Sequence, residues 1–146
     1  MRTPRRRLLA LASVAGVVAT LAVPAAAQAA YFGNETDYAT SGSPSGYEFI
    51  DYKCSVTLGG KACFKPAGDV FYVLDDKADG RSAAADWVVW GDETRTGSCV
   101  NKLGAGKWGV CNKNFQEDQE ISMSVSLYDS GNFVDGYQGN FVEWRT

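Results

Sequence analysis

The sequence predicts an all-β domain, a small antiparallel β-sandwich or barrel, and three observations support this fold class. Apolar residues alternate with polar ones in several segments, which is the period of a half-buried strand. Clusters of Gly, Asn and Asp separate these segments at short intervals. No segment with helical periodicity reaches about ten residues. About seven to nine short strands of this kind are typical of a sandwich or a small barrel.

The clearest predicted strand covers Glu120–Tyr128, where Ile, Met, Val and Leu alternate with Glu and serines. The continuous apolar run Val70–Leu74 is long enough for a core strand. Tyr47–Val56 alternates more loosely, and its pattern predicts Cys54 and Val56 on one face. These segments set the expected start of the folded domain, residues 47–146.

Residues 1–29 have the pattern of a signal peptide. Four arginines, the first of them Arg2, precede the uncharged apolar run Leu8–Val23, and Ala27–Ala29 fits the small-x-small cleavage rule. The apolar run is short for a bilayer-spanning helix. We therefore expect a secreted, extracellular protein that begins at Ala30, and both the general and the twin-arginine export routes remain open.

Removal of this leader makes the protein strongly acidic. The full chain has 14 Lys+Arg and 17 Asp+Glu; four arginines leave with the leader, so the net charge falls from −3 to −7. An acidic domain without a basic cluster repels nucleic acid and anionic membranes, so neither is an expected partner. The remaining length suits a single domain.

Four cysteines in an exported chain of this size predict two disulfides. Three connectivities are possible, and hairpin geometry favours the local one. Cys54 and Cys63 come opposite each other if a two-residue turn falls at Leu58-Gly59. Cys99 and Cys111 flank a glycine-rich turn and are expected to close a second hairpin.

Residues 30–46 are predicted to form a flexible N-terminal arm, because Gly, Ser and Pro dominate the segment. Tyr31, Phe32 and Tyr38 are unexpected in a plain linker. The segment is either a frayed terminus or an arm that becomes ordered on a partner. These three aromatic residues are therefore candidate partner-binding residues.

The chain contains no histidine, which excludes Ser-His-Asp and Cys-His nucleophiles and imidazole-dependent zinc sites. The cysteines are expected to be oxidised, and acidic doublets such as Asp75-Asp76 are typical of solvated turns. We therefore expect no enzyme, no catalytic residue, no cofactor and no metal site. Asp75–Gly80 partly resembles a calcium loop, but Lys77 occupies a ligand position. An Asp-stabilised turn is the favoured interpretation, and calcium binding by the Asp75–Asp79 loop stays open.

Tryptophans provide a further set of candidates. Trp108, on the glycine-rich hairpin, and Trp144, near the C-terminus, are the better surface candidates for contacting a protein or stacking on a carbohydrate. Trp108 is therefore added to the candidate partner-binding residues.

One sequence pattern resembles a known group of proteins. It runs from Ala62-Cys63-Phe64-Lys65-Pro66 through Gly68-Asp69, Val73, Asp75, Ala78-Asp79-Gly80 and Ser82-Ala83 to Cys99, Asn101 and Cys111-Asn112. It resembles small secreted actinobacterial proteins with a two-disulfide β-sandwich, most of them uncharacterised. The overall layout is also similar to the adaptor subunits of umbrella toxin particles, in which a small protein links a lectin-like subunit to a large toxin. This resemblance implies that Tyr31–Tyr38 is a docking arm.

The leading hypothesis is a secreted, non-catalytic protein-interaction module, an adaptor in an extracellular complex of the toxin type. One alternative is a protease inhibitor, in which the stapled hairpin presents Lys102 and Lys107 to a trypsin-like pocket. A second is a carbohydrate-binding domain that uses Trp108 or Trp144. A histidine-free hydrolase is the least favoured hypothesis.

Overall fold

The computed structural model describes residues 30–45 and 53–146, and over these residues the fold is all-β. The predicted signal peptide lies outside the described residues. So do residues 46–52, which hold the end of the predicted arm and the start of the predicted domain.

The described residues form eleven strands. They are β1 Glu35–Tyr38, β2 Thr40–Ser41, β3 Lys53–Thr57, β4 Gly60–Lys65, β5 Val70–Asp75, β6 Ser82–Trp90, β7 Arg95–Val100, β8 Lys107–Asn112, β9 Glu120–Asp129, β10 Asn132–Gln138 and β11 Val142–Arg145.

These strands form two sheets. The first sheet has the order β1-β7-β6-β9-β10, and β11 also pairs with β9. The second sheet has the order β2-β8-β5-β4-β3. All pairings are antiparallel except that of β1 with β7, which is parallel. The predicted fold class, a small sandwich-like all-β domain, is confirmed.

The core lies between the sheets and is rich in aromatic rings. Phe71 stacks on Trp87 with ring centroids 5.9 Å apart, and Phe115 contacts both rings. The largest fully buried side chains are Trp87, Phe64, Phe71, Ile121, Met123 and Leu127. Because each ring removes a large apolar area from water, this cluster supplies much of the driving force for sheet packing.

β9 confirms the predicted alternation on its inner face, but its outer face is less exposed than predicted. Ser122, Ser124 and Ser126 are all buried. β9 lies inside its sheet, between β6 on one side and β10 and β11 on the other, and Gln138 Nε2 donates to Ser124 Oγ at 3.1 Å. Small residues at such a position are covered by larger neighbours.

Both predicted disulfides are present. Cys54–Cys63 joins directly opposed residues of the β3–β4 hairpin, which turns at Leu58-Gly59 as predicted. Cys99–Cys111 has the predicted connectivity, but β7 and β8 belong to different sheets and do not pair with each other. This second disulfide is therefore a buried bond between the two sheets. Two disulfides indicate an oxidising environment.

The prediction of a free arm is wrong for the described part of that segment. β1 adds to the edge of the first sheet beside β7, and β2 adds to the edge of the second sheet beside β8. The physical reason is long-range pairing: the backbone hydrogen bonds and charged partners of this segment lie some 60 to 80 residues away, and local composition does not reveal them.

β3 places Cys54 and Val56 on one face, as predicted, and this face is the outer one. Val56 points outward and is 55% exposed, whereas Ser55 is buried. The Ser55 Oγ accepts a hydrogen bond from the Val125 N–H at 2.9 Å. This inward hydroxyl therefore takes the place of a backbone carbonyl acceptor on a strand next to β9. An apolar residue at position 55 could not accept this bond.

Candidate functional site

The N-terminal segment lies against the first sheet because two glycines allow a close approach. Gly33 has a φ of +76°, and a Cβ at this position would overlap the backbone of β7. A Cβ on Gly97 would lie 2.5 Å from the Glu35 carbonyl oxygen and 2.6 Å from the Trp87 ring. Glycine at both positions therefore permits β1 to pair with β7 over the core tryptophan.

An ion-pair network fixes the inner side of β1. Glu35 accepts two hydrogen bonds from the Arg95 guanidinium, at 2.8 and 3.0 Å, and one from Lys113 Nζ at 2.9 Å. Lys113 also pairs with Asp37 and lies 5.0 Å from the Trp87 ring centroid. The hydrogen bond from Arg95 is the main reason why the pKa of Glu35 falls from 4.5 to about 2. The bidentate geometry makes this a specific anchor for β1.

Tyr31 anchors the start of the segment on the outer face of the first sheet. Its ring lies 4.8 Å from that of Tyr128, and both pack on Ala84 and Val100. The small side chain of Ala84 leaves room for the Tyr31 ring, which is buried. The first of the predicted partner-binding residues is thus part of the folded domain.

A buried carboxylate lies beside this anchor. Asp86 Oδ1 accepts a hydrogen bond from Ser98 Oγ at 2.6 Å, and Oδ2 accepts one from the Tyr128 hydroxyl at 2.8 Å. The Phe32 N–H donates to the Tyr128 hydroxyl oxygen at 3.2 Å. Desolvation raises the pKa of Asp86 above its ordinary value, although these hydrogen bonds favour the ionised form.

Four aromatic rings form a continuous row on the outer face of the first sheet, and we call this row the aromatic strip. Its members, in spatial order, are Tyr38, Tyr31, Tyr128 and Phe133. Successive ring centroids are 6.2, 4.8 and 6.1 Å apart. Lys102 Nζ lies 4.5 Å from the Tyr38 ring centroid and 5.5 Å from that of Tyr31. The strip therefore carries one cation at its Tyr38 end.

The two ends of the aromatic strip face solvent. Tyr38 is 55% exposed and Phe133 is 47% exposed, whereas Tyr31 and Tyr128 between them are buried. Phe32, next to the strip in sequence, is 41% exposed. Exposed rings held by buried ones form a rigid surface, which loses little conformational entropy when a partner binds.

The structure does not bring Trp108 to the strip. Trp108 lies on β8 in the second sheet, opposite Leu74, and is half-buried. Trp144 packs edge-on against Phe64, and Lys53 Nζ lies 5.5 Å from its ring centroid. Neither indole is thus a freely exposed stacking platform.

The two lysines of the predicted inhibitory hairpin are also separated by the fold. Lys102 lies over the tyrosines of the strip, whereas Lys107 begins β8. Because β7 and β8 belong to different sheets, the connection between them is not a protruding hairpin.

A second group of exposed apolar residues comprises two at the β3 edge of the second sheet and one in the connection between β10 and β11 of the first sheet. Val56, Leu58 and Phe141 are 55%, 66% and 64% exposed. The Val56 N–H donates to Asn140 Oδ1 at 3.3 Å, which brings the connection between β10 and β11 to the edge strand β3. We call these three residues the edge cluster.

The Asp75–Gly80 loop is a turn stabilised by Asp side chains. Asp75 Oδ1 accepts a hydrogen bond from the Lys77 N–H at 3.2 Å, and Asp79 Oδ1 accepts one from the Arg81 N–H at 3.1 Å. Across residues 30–45 and 53–146, no group of three or more Cys, Asp or Glu side chains is arranged to hold a metal ion. The same residues contain no helix long and apolar enough to span a membrane.

Sequence reasoning missed Tyr128 and Phe133. Tyr128 ends the alternating strand β9, and Phe133 is its direct partner on β10, so a β9–β10 hairpin assignment would have placed them together. No local signal joins either residue to Tyr31, which is 97 residues before Tyr128. Lys102, which the protease-inhibitor alternative presents to a trypsin-like pocket, lies at the strip.

Comparisons with protein-family models, with curated protein sequences and with solved structures returned no match. The functional argument therefore depends on the geometry of this chain.

Proposed function

We propose that this chain is a secreted, non-catalytic protein-interaction module that binds a partner protein through the aromatic strip. The observation that carries the proposal is the continuity of the four rings on one outer sheet face. Aromatic residues are the side chains most enriched among strongly contributing interface residues. The partner is expected to present apolar side chains to the rings and a negative charge to Lys102.

The same surface supports binding without a flexible arm. Since Tyr31 and β1 are already ordered, the segment does not pay an ordering cost when the partner arrives. This differs from the docking arm that the adaptor resemblance implies, because here the N-terminal segment acts as one side of a preformed surface.

An adaptor role requires a second surface, and the edge cluster is the candidate. Val56 and Leu58 lie at the β3 edge of the second sheet, with Phe141 in the β10–β11 connection whose Asn140 bonds to Val56, whereas the aromatic strip lies on the outer face of the first sheet. Two separate apolar surfaces suit a protein that joins two others in an extracellular complex of the toxin type.

A pair of matched variants tests the proposal. Mature protein is used to capture partners from culture supernatant, the captured protein is identified by mass spectrometry, and its affinity is measured with purified components. The double variant Tyr38→Ser/Phe133→Ser should weaken binding by about tenfold or more. Trp90→Ser is the control, because Trp90 is 45% exposed but lies outside the strip, at the end of β6.

Equal affinity for the strip variant and the control would overturn the assignment of the strip. Turnover of a substrate by the purified protein would overturn the non-catalytic role. Under the adaptor role, Leu58→Ser/Phe141→Ser should lose a second partner and retain the first. If it retains every partner, the edge cluster is not a docking surface.

A further inference from the structure

A cleft of about 530 Å³ opens next to the aromatic strip, between the β5–β6 and β7–β8 connections. We call it the loop cleft, and its lining includes Asp75, Lys77, Arg81, Asn101, Lys102 and Ala105. Its volume is in the range of sites that hold a small ligand or a short segment of chain. Lys102 belongs both to this cleft and to the cationic end of the strip.

The loop cleft concentrates positive charge in an acidic protein. Lys77, Arg81 and Lys102 are three of the ten Lys and Arg residues that follow the leader, against 17 Asp and Glu. Among the described residues that line the cleft, Asp75 is the one carboxylate, and it is buried. Asp76 and Asp79 of the same loop lie beside the lining and act on Asp75, so the excess of positive charge belongs to the lining side chains alone.

These cations are only weakly neutralised. Among residues 30–45 and 53–146, the ion pairs include no carboxylate partner for Lys77 or Lys102, and Arg81 meets Asp79 at a long 3.8 Å. By contrast, Arg95 and Lys113 pair with Glu35 at 2.8 and 2.9 Å. Asp75 Oδ1 accepts a hydrogen bond from the Lys77 N–H, and burial raises the pKa of Asp75.

Neighbouring groups hold the basic side chains of the cleft in place. The Arg81 guanidinium lies 4.5 Å from the Tyr137 ring centroid, and Lys102 lies over the two tyrosines of the strip. The aliphatic carbons of Lys77 lie across Gly59. Asn101 is fully buried and shapes the other wall: its Nδ2 donates to the Val73 and Lys107 carbonyl oxygens. Charges fixed before binding make a better anion site than mobile ones.

We propose that the loop cleft binds the carboxylates of an acidic peptide segment in the partner, while neighbouring apolar residues of that segment lie on the aromatic strip. The inference rests on the proposed function and adds the chemistry of the partner. A peptide is favoured over a sugar because Lys102 of the cleft also lies over the tyrosine rings of the strip, which suit apolar side chains. Spaced lysine and arginine charges suit successive acidic residues.

The experiment uses two synthetic peptides, Phe-Glu-Glu-Glu and Phe-Gln-Gln-Gln, titrated into the ¹⁵N-labelled mature protein. We expect the acidic peptide to shift the amide resonances of Gly80, Lys102 and Ala105, and the shifts to weaken with added salt. Lys77→Glu should weaken binding by about tenfold. Arg145→Glu is the matched control, because it makes the same charge change at an exposed position on β11, opposite Glu120 at the far end of β9 from Tyr128, and it should weaken binding by about twofold or less.

Equal binding of the two peptides, equal losses in the two variants, or shifts confined to residues outside both the cleft and the aromatic strip would each overturn the proposal. Tighter binding of an oligoglucuronate than of the acidic peptide would replace the peptide with an acidic sugar and also overturn it. These failures are distinguishable from failure of the proposed function, which is tested by Tyr38→Ser/Phe133→Ser and a captured partner. That test can succeed while the cleft takes no anion.

Discussion

Replacement of Glu35 by Gln tests how firmly the N-terminal segment belongs to the fold. Glu35 is the acceptor for both Arg95 and Lys113, and the Lys113 side chain is only 8% exposed. The substitution keeps the size of the side chain but removes its charge, so Lys113 near the Trp87 ring loses one of its two carboxylate partners. The stability of the whole domain should fall, because β1 covers the edge of β7.

The expected loss of unfolding free energy on Glu35→Gln follows from the pKa of Glu35. A carboxyl group whose pKa falls from 4.5 to about 2 on folding would contribute about 3 kcal/mol at neutral pH in the absence of screening. One third of the Glu35 side chain is exposed, and solvent screening reduces this to about 1–2 kcal/mol. Because the folded-state pKa is the lower one, this stability is present above pH 4.5 and is lost as the pH falls toward 2.

The assay is urea unfolding of wild type and Glu35→Gln, followed by tryptophan fluorescence, at pH 7 and at pH 2.5. We expect a difference in unfolding free energy of about 1–2 kcal/mol at pH 7, most of which disappears at pH 2.5. Glu143→Gln, which changes an exposed carboxylate, should have little effect. A difference that is absent at pH 7, or that persists unchanged at pH 2.5, would refute the anchoring role of Glu35.

Three further predictions concern the packing around this segment. Gly97→Ala should destabilise the domain by about 1–3 kcal/mol or more, because the new Cβ meets β1 and the core tryptophan; unchanged urea unfolding would contradict this. Replacing Cys99 and Cys111 by Ala should lower the free energy of unfolding by about 3 kcal/mol, because the disulfide joins residues 12 positions apart. The melting temperature measured by calorimetry should then fall by about 10 °C, and a fall of about 2 °C or less would be inconsistent with this role. Tyr128→Phe should lower the free energy of unfolding by about 1–3 kcal/mol at pH 7, because the Asp86 carboxylate loses a hydrogen-bond donor. The loss should become smaller in acid, where Asp86 takes up a proton. A loss that is the same at every pH would argue against a buried charge on Asp86.

Local sequence patterns predict the parts of this fold that depend on neighbouring residues. The alternation in Glu120–Tyr128 predicts β9, and the Leu58-Gly59 turn predicts the β3–β4 hairpin and its disulfide. Each of these features is encoded within about ten residues, where side-chain period and turn chemistry are decisive.

The parts that sequence reasoning missed depend on contacts between distant segments. The partners of Glu35 are 60 and 78 residues away, so composition predicted an arm where the chain forms strands. The connectivity of Cys99 and Cys111 is correct, but the sheet change between β7 and β8 has no local signal. Of the predicted partner-binding residues, Tyr31 and Tyr38 meet in the strip, Phe32 lies beside it, and Trp108 lies in the other sheet.

Amide hydrogen exchange across β1 in a protein of residues 30–146 measures most directly whether the N-terminal segment is a built-in side of the binding surface. If β1 is a strand of the first sheet, its paired amides should exchange slowly and be protected to a degree similar to those of β7. If residues 35–38 instead exchange at the rate of an unstructured peptide while β7 stays protected, the segment is a free arm and the preformed aromatic strip does not exist.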